Sequence, residues 1–211
     1  MKLIKGARTM RRYIVDGKPE RNGQNWLTTL QHQLQGNAFA NPMNNHRTEE
    51  QMGWVTAESL LDADFTVLDR WFVDPYIYGQ FRVDKKTLPS NLFRAMFEMR
   101  IQEWLVMNNR EKIPHREKSD IKDVLQTELY AQTLPRVKSV EFCWNLDEEY
   151  LIILNISESF NTKFVEYFTK TFGLELRPQT PMMFLDSQDP NIEPLTQCGV
   201  SGFRARALPL T

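Results

Sequence analysis

Two long helical patterns in the middle of the chain constrain its fold more than any other feature. The first covers residues 90–107, with Ser90 as the expected N-cap after Pro89. Its apolar side chains spread over a wide arc, which predicts burial on more than one side, either in the core or against a second subunit. The second covers residues 116–132 and ends before Leu134-Pro135. Its narrower inner stripe consists of Ile121, Val124, Leu125 and Leu129.

Sequence of β type lies on both sides of this helical pair. Strands alternating with helices, in two β-hairpin/helix groups, predict an α+β fold with antiparallel or mixed sheets. Met52-Gly53-Trp54-Val55 is interpreted as an apolar patch within a turn-rich stretch. Shorter helices are expected at residues 25–35 and 159–172. The predicted strands cover residues 9–15, 65–83 (divided in two at Asp74-Pro75), 137–145, 149–155 and 174–176.

The distribution of proline divides the chain. From residue 177 onwards prolines recur with little hydrophobic periodicity, so residues 186–211 are predicted to be an extended, proline-rich tail. Residues 1–185 are expected to form one α+β region. The position of the helical pair suggests a subdivision of that region into a body of residues 1–84 and 133–185 and a helical arm of residues 85–132.

Composition excludes several classes of protein. Of the 211 residues, 41% are hydrophobic and 25% are charged, as in ordinary globular domains. No apolar run reaches the roughly 18 residues that cross a bilayer, and the basic N-terminus lacks the apolar stretch of a secretory signal. Cys143 and Cys198 do not have the spacing of a metal pair or a disulfide framework. We therefore expect a globular protein of the reducing cytoplasm without a membrane partner.

Motifs for catalysis are not found by spacing. His32, His46 and His115 match no metal-ligand spacing, and the sequence has neither a phosphate-binding glycine loop nor a nucleophile elbow. Asp84-Lys85-Lys86 and Asp120-Ile121-Lys122 imitate part of a metal-dependent nuclease motif, but Asp120 falls on a predicted helix. We expect no enzyme activity, no metal and no cofactor, and a metal-dependent nuclease is the less favoured alternative.

The formal net charge of -1 conceals a basic central segment. Residues 85–123 carry nine lysines and arginines against six acids, and an uneven distribution of this kind hints at a surface that faces a polyanion. Lys118 and Lys122 lie four residues apart, so they share one helix face beside the apolar stripe and can line an adjoining groove. A surface helix with salt bridges explains the same sequence equally well, since acids are interleaved with the lysines at Glu117, Asp120 and Asp123.

The tryptophans are a second type of candidate, because aromatic rings stack on unpaired bases in single-strand binders. Trp26 and Trp104 lie in apolar helical patterns, and Trp144 ends an apolar strand, so all three are expected in the core. Trp71, beside Arg70, is the tryptophan that we consider for stacking.

Several segments carry a family resemblance. Residues 117–124 (EKSDIKDV), followed by Leu134-Pro135-Arg136, are similar to a segment that reads roughly EK..LKDEV...LLPRAF. Residues 82–90 (RVDKKTLPS) resemble RxEEKxLPxS, and residues 52–55 (MGWV) resemble part of GWVPP. These segments, in this order, resemble the bacterial recombination-associated protein RdgC family over about residues 9–185.

The resemblance implies a non-enzymatic protein of the nucleoid that binds double-stranded DNA with little sequence preference. It also implies a ring-shaped homodimer with a positively charged hole, which limits access of a RecA-type recombinase to DNA. Residues 1–185 would form the DNA-binding region, and its cations would position phosphates without reading bases. The residues matched in this way are Lys86, Arg110, Lys112, Arg116, Lys118 and Lys122, followed by Arg82, Arg100 and Arg136.

The chain departs from the family pattern at two motifs. PRAF is replaced by Pro135-Arg136-Val137-Lys138, which removes an aromatic residue expected near a subunit contact, and the prolines of GWVPP are replaced by Thr56 and Ala57. An alternative function is a protein–protein interaction module that inhibits a recombination enzyme without binding DNA. The wide apolar arc of residues 92–105 and the near-neutral net charge favour this alternative.

Overall fold

The computed structural model describes residues 9–19, 21, 25–40, 50–180 and 183. Within these residues, strands alternate with helices and confirm the predicted α+β fold. The strands are β1 Arg11–Asp16, β2 Glu50–Val55, β3 Phe72–Val73, β4 Tyr76–Lys85, β5 Arg136–Asn145, β6 Tyr150–Ile153 and β7 Glu175–Pro178. The helices are α1 Trp26–Gly36, α2 Ser90–Asn108, α3 His115–Gln132 and α4 Glu158–Phe172.

All seven strands belong to one sheet, in which every strand pair is antiparallel. The order is β2-β4-β5-β6-β1-β7, and the short β3 also pairs with β4. The longest ladder joins β4 to β5, from Tyr76 opposite Asn145 to Lys85 opposite Arg136. Since α2 and α3 connect these two neighbouring strands, the helical pair leaves and re-enters the sheet at the Lys85–Arg136 end of the ladder.

The core lies between the sheet and helices α1 and α4. One face of α4 presents four buried phenylalanines at helical spacing, which accounts for its position over the central strands. Trp54 of β2 is fully buried among the rings of Phe81, Phe142 and Phe164. Its indole Nε1 donates a 2.9 Å hydrogen bond to Thr171 Oγ1 of α4, so the polar atom of this large side chain is satisfied. The four phenylalanines are Phe160, Phe164, Phe168 and Phe172.

The interpretation of residues 52–55 as part of a turn-rich stretch is wrong, because they form most of strand β2. The segment Asn37–Phe39 closes over the outer edge of β2, where Phe39 N–H donates to Trp54 O and Trp54 N–H donates to Asn37 O. This close contact between the two backbones requires a glycine at position 53, since a Cβ on Gly53 would lie 2.5 Å from Phe39 Cα.

The helix boundaries and inner faces differ from the predictions in three details. Pro89, and not Ser90, occupies the N-cap of α2. In α3, Leu125 and Leu129 are buried as predicted, but Val124 is exposed. Of the two predicted environments for α2, the structure excludes the core, because none of its residues is buried in the described part of the chain.

Candidate nucleic-acid interface

A groove of about 850 Å³ runs between α2 and α3. The first two turns of α2 and the preceding link form one wall, and a long face of α3 forms the other. The left-handed conformation of Asn109 (φ 51°) ends α2, and Pro114 stands at the N-cap of α3, so the chain reverses direction within a short connector. The lining residues are Thr87, Leu88, Ser90, Phe93, Arg94, Phe97, His115, Lys118, Ser119, Lys122, Gln126 and Tyr130.

Both lysines predicted to share a helix face line this groove. Lys118 and Lys122 are one turn apart on α3, whose Leu125 and Leu129 are buried. Among the described residues, neither ammonium group has a hydrogen-bond or ion-pair partner. The interleaved acids Glu117, Asp120 and Asp123 therefore form no ion pair with either lysine in this structure.

The groove also contains groups that sequence reasoning did not find. Arg94 reaches it from α2, and no acidic side chain is present among the described residues that line it. Phe93 and Phe97 are half-buried and stacked, with ring centroids 6.1 Å apart and an interplanar angle of 11°. Tyr130 lines the α3 side. No local signal distinguishes Arg94 in the sequence, since it is one of two arginines interleaved with the apolar residues of α2.

The remaining predicted cations on the surface lie outside the groove. Arg110, Lys112 and Arg116 are exposed on the connector and the first turn of α3. Arg136 is exposed at the start of β5. Arg100 of α2 is paired with Glu128 of α3 at 2.8 Å, so its charge is partly compensated and the contact ties the two helices together.

The structure does not place Arg82 and Lys86 where they could face phosphates. Arg82 is buried and donates two hydrogen bonds of 2.8 and 2.6 Å to the carboxylate of Asp84. Lys86 is 8% exposed, and its Nζ donates to Tyr130 O at 2.8 Å. A buried cation requires such partners, and these two are used to hold loops and helices within the fold. The hydrogen bond from Lys86 connects the last turn of α3 to the link between β4 and α2.

No group of three or more His, Cys, Asp or Glu side chains within the described residues could hold a metal ion. The carboxylate of Asp84 accepts a hydrogen bond from Arg82. Burial raises the pKa of the Cys143 thiol, which opposes formation of a nucleophilic thiolate. In addition, no helix in the described residues is long and apolar enough to span a bilayer.

Trp71 is excluded as a stacking residue, because it is fully buried and its Nε1 donates to Phe65 O at 2.9 Å. Trp144 is buried as expected. Trp26 is only half-buried against the core, and Trp104, on α2, is half-buried and not part of the core. Phe93, Phe97 and Tyr130 are half-buried rings that line the groove together with its cations.

Comparison with known proteins gave one family. A family model described as "Putative exonuclease, RdgC" matches residues 20–196, which is most of the chain. No curated protein sequence matches the chain.

Proposed function

The chain belongs to the RdgC family, and from this premise we propose that it is a non-enzymatic protein that binds double-stranded DNA without sequence preference and modulates homologous recombination. The proposal places it in the cytoplasm, in association with the nucleoid. It would act there by occupying DNA that a RecA-type recombinase requires.

The observation that carries this proposal is the pair of uncompensated lysines in the groove. Lys118 and Lys122 present two ammonium groups on one helix face, without an acid among the described lining residues. Phosphates are sequence-independent ligands, so contacts of this type give affinity without base readout. Arg110, Lys112 and Arg116 add three exposed cations on the connector and the first turn of α3.

Salt dependence of binding tests the proposal. The affinity of the chain for a labelled random-sequence duplex, measured by fluorescence anisotropy, is expected to fall with salt at a logarithmic slope of about -0.9 per neutralised phosphate. If the five cations of residues 110–122 each neutralise one phosphate, the slope approaches about -4.5 per protomer. Absence of binding even at low salt would contradict the proposal and favour an interaction module that acts on a recombination protein.

The family description favours a second candidate, a DNA exonuclease. Two-metal hydrolysis of DNA requires clustered carboxylates. The same duplex, incubated with the protein and Mg²⁺ or Mn²⁺, therefore separates the two functions. Shortening of the labelled strand that EDTA abolishes would replace the non-enzymatic proposal by the exonuclease; an intact strand is the result that we expect.

The proposal includes a homodimer formed through α2. Leu92, Met99 and Val106 follow one another at seven-residue intervals and are exposed by 52%, 52% and 79%. Apolar side chains at this interval lie on one face of a helix and can occupy one of the two apolar positions of each heptad in a helix pair. A second copy of α2 would cover this stripe, which explains a 19-residue apolar helix without a buried residue in the described part of the chain.

Substitution of Met99→Glu with Val106→Glu is expected to convert a dimer into a monomer, because two carboxylates would have to be desolvated in the seam. Sedimentation velocity over a range of protein concentrations measures the mass. A matched control, Leu61→Glu with Leu134→Glu, changes two exposed apolar residues outside α2 and should leave the mass unchanged. An identical mass for the two double variants would exclude α2 as the dimer interface.

A further inference from the structure

The groove between α2 and α3 has two chemically different sides. Lys118, Lys122 and Arg94 supply positive charge, whereas Phe93 and Phe97 supply a parallel pair of half-buried rings. A surface that contacts only the phosphates of a duplex has no use for accessible rings. The combination of rings and cations is instead the one that holds single nucleotides, through stacking on the base and ion pairing with the phosphate.

The size of the groove agrees with a ligand of this kind. Its volume of about 850 Å³ falls in the range of ligand pockets, roughly 300–1,000 Å³. The pocket is therefore large enough for one nucleotide. A duplex is wider than its own major groove of about 12 Å, so it would stay outside and contact only exposed groups such as Lys118 and Lys122.

We propose that the groove between α2 and α3 captures one unpaired nucleotide of a DNA strand, with its base against Phe93 and Phe97 and its phosphate at Lys118 and Lys122. The inference rests on the proposed DNA-binding function and specifies the ligand of the same site. It directs the protein to duplexes with an unpaired end or a gap, in preference to uninterrupted duplex.

The charge around the rings selects an anionic aromatic ligand over a neutral one. Three cations and His115 line the groove without an acid among the described lining residues. The first turn of α2 also lies beside the groove, and no side chain caps its N-terminus. The positive end of that helix therefore adds to the attraction for a phosphate that the lysines and Arg94 provide.

A matched set of three labelled probes tests the base and the phosphate separately. The first is a blunt duplex, the second carries a short single-stranded 3′ overhang, and the third carries the same overhang without bases, as abasic sugar phosphates. The second and third probes have the same charge, so their affinity ratio reports base contacts alone. We expect the overhang with bases to bind about tenfold tighter than the abasic overhang, within the range that stacking of one base supplies.

Substitutions inside and outside the groove test whether its rings produce this affinity ratio. Phe97→Leu removes the ring but retains a large apolar side chain with good helix propensity, and should reduce the ratio towards one. Trp104→Leu removes a half-buried ring from the same helix outside the groove and should leave the ratio unchanged. Lys122→Ala should weaken both overhang probes by the same factor, because it removes a phosphate contact only.

Specific outcomes would overturn the inference. An equal affinity of the wild-type protein for the two overhangs would do so, as would a ratio that Phe97→Leu leaves unchanged. If Phe97→Leu alters the sedimentation mass and not the ratio, the groove holds a segment of a second copy. Salt-sensitive binding of the blunt duplex would persist in each of these cases, so failure of the inference is distinguishable from failure of the proposed function.

Discussion

The double variant Lys118→Glu, Lys122→Glu is expected to bind a random-sequence duplex about a thousandfold more weakly than the wild-type protein at low salt. Each substitution removes one favourable phosphate contact and introduces one repulsive contact. At the surface, each of these is worth on the order of 1 kcal/mol. The combined loss should be the same for unrelated sequences, since phosphate contacts carry no sequence information. Fluorescence anisotropy with several duplexes measures both the size and the uniformity of the loss.

The corresponding alanine variant, Lys118→Ala with Lys122→Ala, measures how many phosphates the two lysines contact. It should reduce the magnitude of the salt slope by about two, one for each lost contact. Lys170→Glu, on α4, is a suitable charge-matched control for Lys122→Glu, because Lys170 belongs to the helix that covers the sheet and not to the groove. Unchanged duplex affinity in the Lys118/Lys122 double variant would remove the groove lysines from the proposed interface.

The acidic variant should remain folded. Lys118 lies in the first turn of α3 and is exposed, and a negative charge near a helix N-terminus is favourable. The helix is held in place by Leu125 and Leu129 and by the hydrogen bond from Lys86 to Tyr130 O, none of which involves the substituted residues. Circular dichroism of the variant should therefore match that of the wild-type protein.

Elements defined by local patterns were predicted well from the sequence. The β5–β6 hairpin is an example, because an apolar alternation on each side of a polar turn specifies both strands and their pairing. Helix α4 is another, since its four phenylalanines define one face and Gly173 ends it in a left-handed conformation. Strand β2 was missed because its ladder depends on distant residues of β4 and on the close approach of Phe39 to Gly53.

The same distinction between local and distant determinants explains which residues of the site the sequence predicts. The shared face of Lys118 and Lys122 follows from their spacing of four residues, so the sequence alone predicts it. The burial of Lys86 depends on an acceptor 44 residues away in the chain, Tyr130 O, which no sequence pattern specifies. The aromatic side of the groove was likewise missed, because Phe93 and Phe97 have the same spacing as core residues until the position of α2 is known.

The family motif at residues 52–55 acquires a structural explanation from the position of Trp54. Its ring contacts aromatic side chains from β4, β5 and α4, and thereby joins the outer edge of the sheet to the helix that covers it. The motif therefore belongs to the packing of the body, whereas the groove cations belong to the helical pair. We therefore expect substitutions in the body to change the stability of the protein and substitutions of the groove cations to change DNA binding.

Substitution of Trp54→Ala is accordingly expected to lower the free energy of unfolding by about 4 kcal/mol, within the range of roughly 3–5 kcal/mol for truncation of a buried tryptophan. The fully buried ring leaves a cavity between the sheet and α4, and the hydrogen bond to Thr171 Oγ1 is lost. Urea unfolding measures the change as a shift in midpoint at constant slope. Since total stabilities are typically about 5–15 kcal/mol, the variant should be marginally folded at room temperature.

A conservative variant and a binding measurement separate this loss of stability from loss of function. Trp54→Phe retains an aromatic ring in the core, and Thr171 Oγ1 keeps its 2.8 Å hydrogen bond to Tyr167 O, so the loss should be smaller than that of Trp54→Ala. Because Trp54 does not line the groove, the folded fraction of either variant should bind the duplex with wild-type affinity and salt slope. A loss below about 1 kcal/mol in Trp54→Ala would contradict the assignment of Trp54 to the core. Weakened binding by fully folded Trp54→Phe would show instead that the body and the groove are energetically coupled.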